Sequence, residues 1–275
     1  MSTTYDFGSG PVPAHRHTNP DGKLGGWVAD TATVTPTTRI GKNARVFGHA
    51  VVSGSAMVSG SAWVFGDAMV YGNAEVSGKA QVFGNAEVYG TAGVFGNAKV
   101  FGNARVFGGA QVSGGAMVSD GAVVSDGAEV CGNAWVLGDA EVSGKAQVFG
   151  YAQVSGHAEV FGNAQVFGNA VVLDNAGVYG NAKVSGGTKV SGNAQVFGNA
   201  VVYGNAKVSG DAVVSGNPVV SDGAVVYGNA KVSGHAWVSG NAKVSGYAKV
   251  SGHAEVFGGA KVFGNAVVSG KTVLT

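Results

Sequence analysis

Apolar positions recur along this chain with a period of six. A small residue stands at Ala44, Ala50 and Ala56 and onward to Ala266. Valine follows two places later, at Val46, Val52 and Val58 and on to Val268, with Ile40 substituting once. Glycine comes two places after that, as at Gly48, Gly54 and Gly60. From Gly25 to Gly270 the unit repeats forty-one times without an insertion or deletion. Alanine and valine two apart point to one face of a strand. A helix would require apolar residues three and four apart, and a glycine at every sixth place would cost it about 1 kcal/mol each relative to alanine. Each hexad therefore predicts a short strand and a corner, and the unbroken register predicts an all-β parallel solenoid over residues 25–275 in which each unit packs on its neighbours.

The corner has its own residues. Gly72-Asn73 and Gly84-Asn85 represent the usual pair, replaced by Asp120-Gly121, Asp126-Gly127 and Asp222-Gly223. Each pair supplies a residue tolerant of positive φ, which is expected at the first position in one kind and at the second in the other. A phosphate-binding loop would set its glycines between a long strand and a helix, and no helix-period segment is present. Thr188 and Pro218 interrupt the alanine column. Proline lacks the N–H of a stacked strand, so a bulge or broken ladder is expected at Asn217-Pro218.

Residues 1–24 stand outside the repeat and contain Pro11, Pro13 and Pro20. They read as an arm that covers the exposed edge of the first coil, with Trp27 as its anchor. After Gly270 the segment Lys271, Thr272, Val273, Leu274 and Thr275 has no polar cap, so a contact with a partner or a second copy is expected there. Length alone suggests two domains. The register argues instead for one continuous solenoid, with a thin core of small side chains and 49 glycines for its corners. No stretch reaches the roughly 18 apolar residues of a membrane helix, and Met1 to Gly10 lacks the pattern of a signal peptide. A cytoplasmic or virion-associated protein without membrane insertion is expected. Cys131 is the single cysteine, so no internal disulfide framework exists. It falls in the column of Phe, Tyr and Ser, as a tolerated small residue.

The run Asn97-Ala98-Lys99-Val100-Phe101-Gly102-Asn103-Ala104 resembles the hexapeptide repeats of left-handed parallel β-helix proteins, over about nine tenths of the chain. The resemblance implies three hexads per 18-residue coil, hence between thirteen and fourteen coils. At about 4.8 Å per rung, that stack is about 65 Å long. Glycine here follows valine by two positions instead of the family's one. Gly25-Gly26-Trp27-Val28 is similar to the opening segment of bacterial and phage hexapeptide-repeat proteins, some of them labelled transferases. An 18-residue coil requires residues eighteen apart to share character. Phe47, Phe65, Phe83 and Phe101 do so, as do Tyr71, Tyr89 and Phe107. The bias of the whole aromatic column is weak, and a two-sheeted coil of twelve residues stands as the alternative.

The same resemblance implies two chemistries, acyl transfer with a catalytic histidine or the zinc-dependent hydration of carbon dioxide with three histidine ligands. Family acyltransferases carry a loop inserted in the coils, which this chain does not have. His49, His157, His235 and His253 replace asparagine at corners, and His235 and His253 are eighteen apart and expected to stack. His15 and His17 flank Arg16 in the arm. None of these makes the three convergent ligands of a zinc site, and no cofactor is expected. Recognition would be written in the outward column between alanine and valine. That column holds Trp63 and Trp135, and, on one face of an 18-residue coil, Lys189, Lys207, Lys243 and Lys261, interrupted by Val225. From residue 176 onward there are eight lysines and three acidic residues, against nine basic and thirteen acidic before it. The lysine face could bind a polyanion such as nucleic acid or an acidic glycan. The unbroken register, the missing loop and the open downstream end lead to the expectation of a non-enzymatic structural or binding element, a rigid rod, spacer or receptor- or glycan-binding element of a phage particle or bacterial surface assembly. The alternative is an acyltransferase with its site between the subunits of a trimer.

Overall fold

Each hexad contributes a two-residue strand made of the outward residue and its valine, and within a stack of coils such strands pair in parallel eighteen residues apart. Arg45↔Trp63 and Val46↔Val64 are such a rung. So are Lys189↔Lys207 and Val190↔Val208. Three hexads therefore complete a coil, and the twelve-residue alternative is excluded. The computed structural model describes residues 3–275, which contain no helix. They form two units, Met1–Gly138 and Asp139–Thr275, each a stack of such coils.

The alanine and valine columns face inward. Ala80, Val82, Ala194 and Val196 are among the many core residues with no exposed surface. Burying each valine contributes about 1.5–3 kcal/mol. Thr188 fits the alanine column because its Oγ1 donates to Ser185 O at 2.7 Å. Between coils, N–H groups donate to carbonyls seventeen residues on: Met57 to Ala74 at 2.9 Å, Ser59 to Val76 at 2.9 Å and Ser61 to Gly78 at 2.7 Å. The carbonyls of the alanine, valine and glycine columns thus point to the preceding coil.

The corners hold two differences from the sequence expectation. Positive φ stays in a single column: Asp120, Asp126 and Asp222 adopt φ of 61°, 58° and 58°, and Asp174 63°, in the place glycine has elsewhere. The register is rigid, so aspartate takes the left-handed conformation itself, which it tolerates better than most residues. Its carboxylate also accepts the amide of the next coil, as Asp174 Oδ2 does from Gly192 N at 2.9 Å. Glycine predominates here because the coils touch. A Cβ on Gly84, φ 69°, would lie 3.0 Å from the backbone nitrogen of Gly102. Pro218 does not break the ladder: Val201 N donates to Pro218 O at 3.0 Å, and Val219 pairs with Trp237. The N–H of the alanine column forms only a turn bond inside its own corner, as Ala80 N to Ser77 O at 3.4 Å shows, so proline forfeits little.

Outside the core, residues eighteen apart stack as expected. Successive rings of Phe47, Phe65, Phe83 and Phe101 lie 4.8–4.9 Å apart. Tyr71, Tyr89 and Phe107 do the same, and His235 lies 5.0 Å from His253. Asparagines at the corners form a further ladder of amide bonds, including Asn163 to Asn181 at 3.1 Å and Asn181 to Asn199 at 3.0 Å.

The first residues form an antiparallel meander of β1 (Thr4–Asp6), β2 (Pro11–Thr18) and β3 (Leu24–Ala29). β3 continues into the parallel stack, with Trp27 opposite Arg45. The meander extends the Phe ladder, since Phe7 stacks on Phe47 at 4.9 Å. Trp27 anchors it, with Tyr5 stacked on the indole at 4.6 Å. Its side chains also cap the hexad at residues 37–42. His17 Nε2 donates to Thr38 O at 3.2 Å, Asn19 Nδ2 to Ile40 O at 3.1 Å and Arg16 to Lys42 O at 3.2 Å. Asn19 Oδ1 accepts the Ile40 N–H at 2.8 Å. These are the three carbonyls which, in interior coils, accept from the coil before.

Candidate binding sites

Because the coil is eighteen residues long, Trp27, Arg45 and Trp63 stand on successive rungs of one face. The antiparallel pairing of β2 with β3 sets Arg16 directly opposite Trp27. The four side chains interlock with Tyr5. The Arg16 guanidinium lies 5.3 Å from the Trp27 ring, and that of Arg45 lies 5.4 Å from Tyr5 and 5.1 Å from Trp63. Each such contact is worth about 0.5–1 kcal/mol at an exposed site, and it also restrains the direction of the guanidinium. With Lys42 they line a groove of about 530 Å3. Three cations and no carboxylate contribute to it. Among the described residues none of the three cations has an acidic side chain within ion-pair distance.

A smaller groove of about 430 Å3, mostly apolar, lies against the other part of the meander and is lined by Phe7, Val12, Ala29, Asp30 and Phe47. Asp30 Oδ1 is 2.8 Å from His15 Nδ1. His17, two residues on, is buried and acts as a cap. The histidines therefore divide between surface, cap and corner positions. Among the described residues no cluster of three or more His, Cys, Asp or Glu is arranged to hold a metal.

In the second unit, Lys189, Lys207, Lys243 and Lys261 fall on one face, Lys189 beside Lys207 and Lys243 beside Lys261. Val225 occupies the rung between the two pairs. All four lysines are exposed, and the outward column of this face continues upstream as Gln153 and Val171, so it has no acidic residue in this unit. Adjacent lysines rise from rungs about 4.8 Å apart, so their like charges repel one another, and nothing in their own column offsets that.

Trp135 lies on the same face of the first unit as Trp63, four rungs on, with Gln81, Lys99 and Met117 between. The two do not form one aromatic platform, since Trp63 belongs to the Arg45 groove and Trp135 stands alone, 39% exposed. Of Lys271, Thr272, Val273, Leu274 and Thr275, Val273 and Leu274 form a strand paired with Glu255 and Val256, and Thr272 Oγ1 donates to Ser269 O at 2.8 Å. Cys131 is half-buried, and burial, with the charge of Glu129 as a smaller cause, raises its thiol above the ordinary cysteine range. Burial and then the neighbouring Glu87 carboxylate likewise raise Tyr71, whose hydroxyl donates to Glu87 Oε2 at 3.3 Å.

Four stretches of the chain are similar to the family described as YdcK Beta solenoid repeat. The matches cover residues 98–114 and 110–126 in the first unit and 164–180 and 194–210 in the second. Each is about one coil long, and together they span less than a quarter of the chain. They agree with the fold and fall on regular coils, away from the meander. No curated protein matches the sequence. Among the described residues no helix is long and apolar enough to cross a membrane.

Sequence reasoning passed over Arg16, Lys42 and Arg45. A signal for part of the groove was present, since residues 27, 45 and 63 share the eighteen-residue lag that picked out the Phe ladder. Tyr5 and Arg16 reach the groove through antiparallel pairing, which the hexad register does not encode.

Proposed function

We propose that this chain is a non-catalytic binding scaffold whose β-solenoid presents side chains at the rung spacing to an extended polyanion, an acidic glycan chain. The observation that supports this most directly is the lysine face of the second unit. Two in-register lysine pairs share an outward column without a carboxylate, an arrangement that repels itself until anions bind. Four rungs separate Lys189 from Lys261, about 19 Å at the usual strand spacing, which suits a chain lying along the stack better than a compact ligand. Lysine ammonium groups are flexible point charges, fit for a sequence-tolerant polyanion rather than for a single fixed oxyanion.

The test is titration of the full chain with polygalacturonate between about 50 and 200 mM salt, beside the double variant Lys207→Ser/Lys243→Ser. Wild type should bind with a steep salt dependence, and the variant should bind at least about tenfold more weakly with a shallower slope. Binding that ignores salt and both lysines would refute the reading. Specific binding of acetyl-coenzyme A with protection of the coils, and none of polygalacturonate, would favour the acyltransferase instead.

A further inference from the structure

We propose that the groove beside the meander, built on Arg16, Lys42 and Arg45 with Trp27 and Trp63, is a separate site for the carboxylate of an acidic oligosaccharide. Its volume of about 530 Å3 falls within the range of small-ligand sites. The two guanidinium groups are braced in advance. Arg45 lies between Tyr5 and Trp63, and Arg16 is held over Trp27 while donating to Lys42 O at 3.2 Å. A planar fork fixed in this way donates two parallel N–H groups to a carboxylate at little further ordering cost. Lys42 is exposed at the rim and adds a movable charge.

The aromatic arrangement discriminates between anions. Trp27 already carries the Tyr5 ring at 4.6 Å and the Arg16 guanidinium at 5.3 Å, while Trp63 carries Arg45. A nucleobase, which binds by stacking on an open aromatic face, finds these rings stacked already. What remains toward the groove is a set of N–H donors among ring edges, suited to a carboxylate on a pyranose whose C–H groups rest against apolar carbon. The site shares no residue with the lysine face, so either proposal can fail alone.

Calorimetric titration of the full chain with trigalacturonate tests this, with maltotriose and a short oligothymidylate as comparison ligands. Trigalacturonate should bind, and maltotriose should bind at least tenfold more weakly. Arg45→Gln should weaken trigalacturonate at least tenfold, and Arg45→Lys, which keeps the charge but loses the fork, should weaken it by several-fold. In the Lys207→Ser/Lys243→Ser background, which removes the lysine face, trigalacturonate should still bind and each groove substitution should weaken it to the same degree. Lys42→Ser touches no ring and serves if Arg45→Gln alters the circular dichroism; it should weaken binding several-fold. Equal binding of maltotriose, stronger binding of oligothymidylate, no binding of trigalacturonate, or indifference to both Arg45→Lys and Lys42→Ser overturns the proposal.

Discussion

Asn19 is the most demanding test of how the first coil is closed. Its side-chain amide takes the Ile40 N–H at 2.8 Å and gives a hydrogen to Ile40 O at 3.1 Å, at a residue with no exposed surface. Asn19→Ala removes both partners and leaves a buried donor and a buried acceptor. Each costs about 1–3 kcal/mol, and since Asn19 itself is half-buried and water can reach part of the vacated space, about 2–4 kcal/mol is expected in all. A solenoid need not unfold in one step, so the local quantity is amide exchange at Ile40. A local loss of about 2 kcal/mol accelerates it by about thirtyfold, because each 1.4 kcal/mol is a factor of about ten. Asn19→Asp adds a signature in pH. Its carboxylate can accept the Ile40 N–H but sets a second oxygen against Ile40 O, which favours the protonated acid and raises its folded-state pKa. A raised folded pKa means that the stability of this variant is fully present below the unfolded value, about 3.9, and is lost as pH rises through the folded value. Asn19→Asp should therefore approach wild type near pH 4 and fall well below it at pH 7. Unchanged Ile40 exchange in Asn19→Ala, or an Asn19→Asp variant indifferent to pH, refutes the account.

Two further outcomes follow from the corners and outer columns. Asp174 holds φ 63° and accepts the Gly192 amide at 2.9 Å, so Asp174→Gly loses a bond but gains freedom, whereas Asp174→Ala loses the bond and keeps the left-handed cost of about 1–2 kcal/mol; denaturant titration should rank alanine below glycine by about 1 kcal/mol, and the reverse order would discredit the bond-and-strain reading. Cys131 should be alkylated more slowly at pH 8 than cysteine in a peptide, with a rate midpoint above about 8.5, because burial holds its thiol protonated; a midpoint below that value contradicts it.

The eighteen-residue coil was legible in the sequence because stacking is a property of columns. Phe47, Phe65, Phe83 and Phe101 announce it, and so do His235 and His253. The inward valines were legible for the same reason. What escaped depends on which backbone atoms point where. The expected break at Pro218 assumed that every N–H in a hexad serves the ladder, whereas that of the alanine column serves only its corner. The expected shift of positive φ to glycine in Asp-Gly corners treated each corner alone, although its neighbours eighteen residues away fix the conformation. The binding groove escaped in part because half of it comes from the meander, whose antiparallel register obeys no period.

Those backbone directions also explain the chemistry of the cap. A hexad turns three carbonyls toward the preceding coil, from its alanine, valine and glycine columns. A segment closing that side must bring hydrogen-bond donors, and the meander brings three: an imidazole, an amide and a guanidinium. The single amide hydrogen that faces the same way, on Ile40, meets the one acceptor that Asn19 has left. An aspartate or glutamate in place of His17 or Asn19 would be similar in size and wrong in sign, because an ionised carboxylate only accepts. The opposite side of any coil reverses the requirement, since the N–H groups of its outward, aromatic and asparagine columns point to the coil that follows. Whatever covers that side, in this chain or in a designed relative, must be rich in carbonyl or carboxylate oxygen. The arginine needed to close the first coil is also the one that lies over Trp27 and opens the groove, so in this fold the cap and the candidate binding site are built from the same donor.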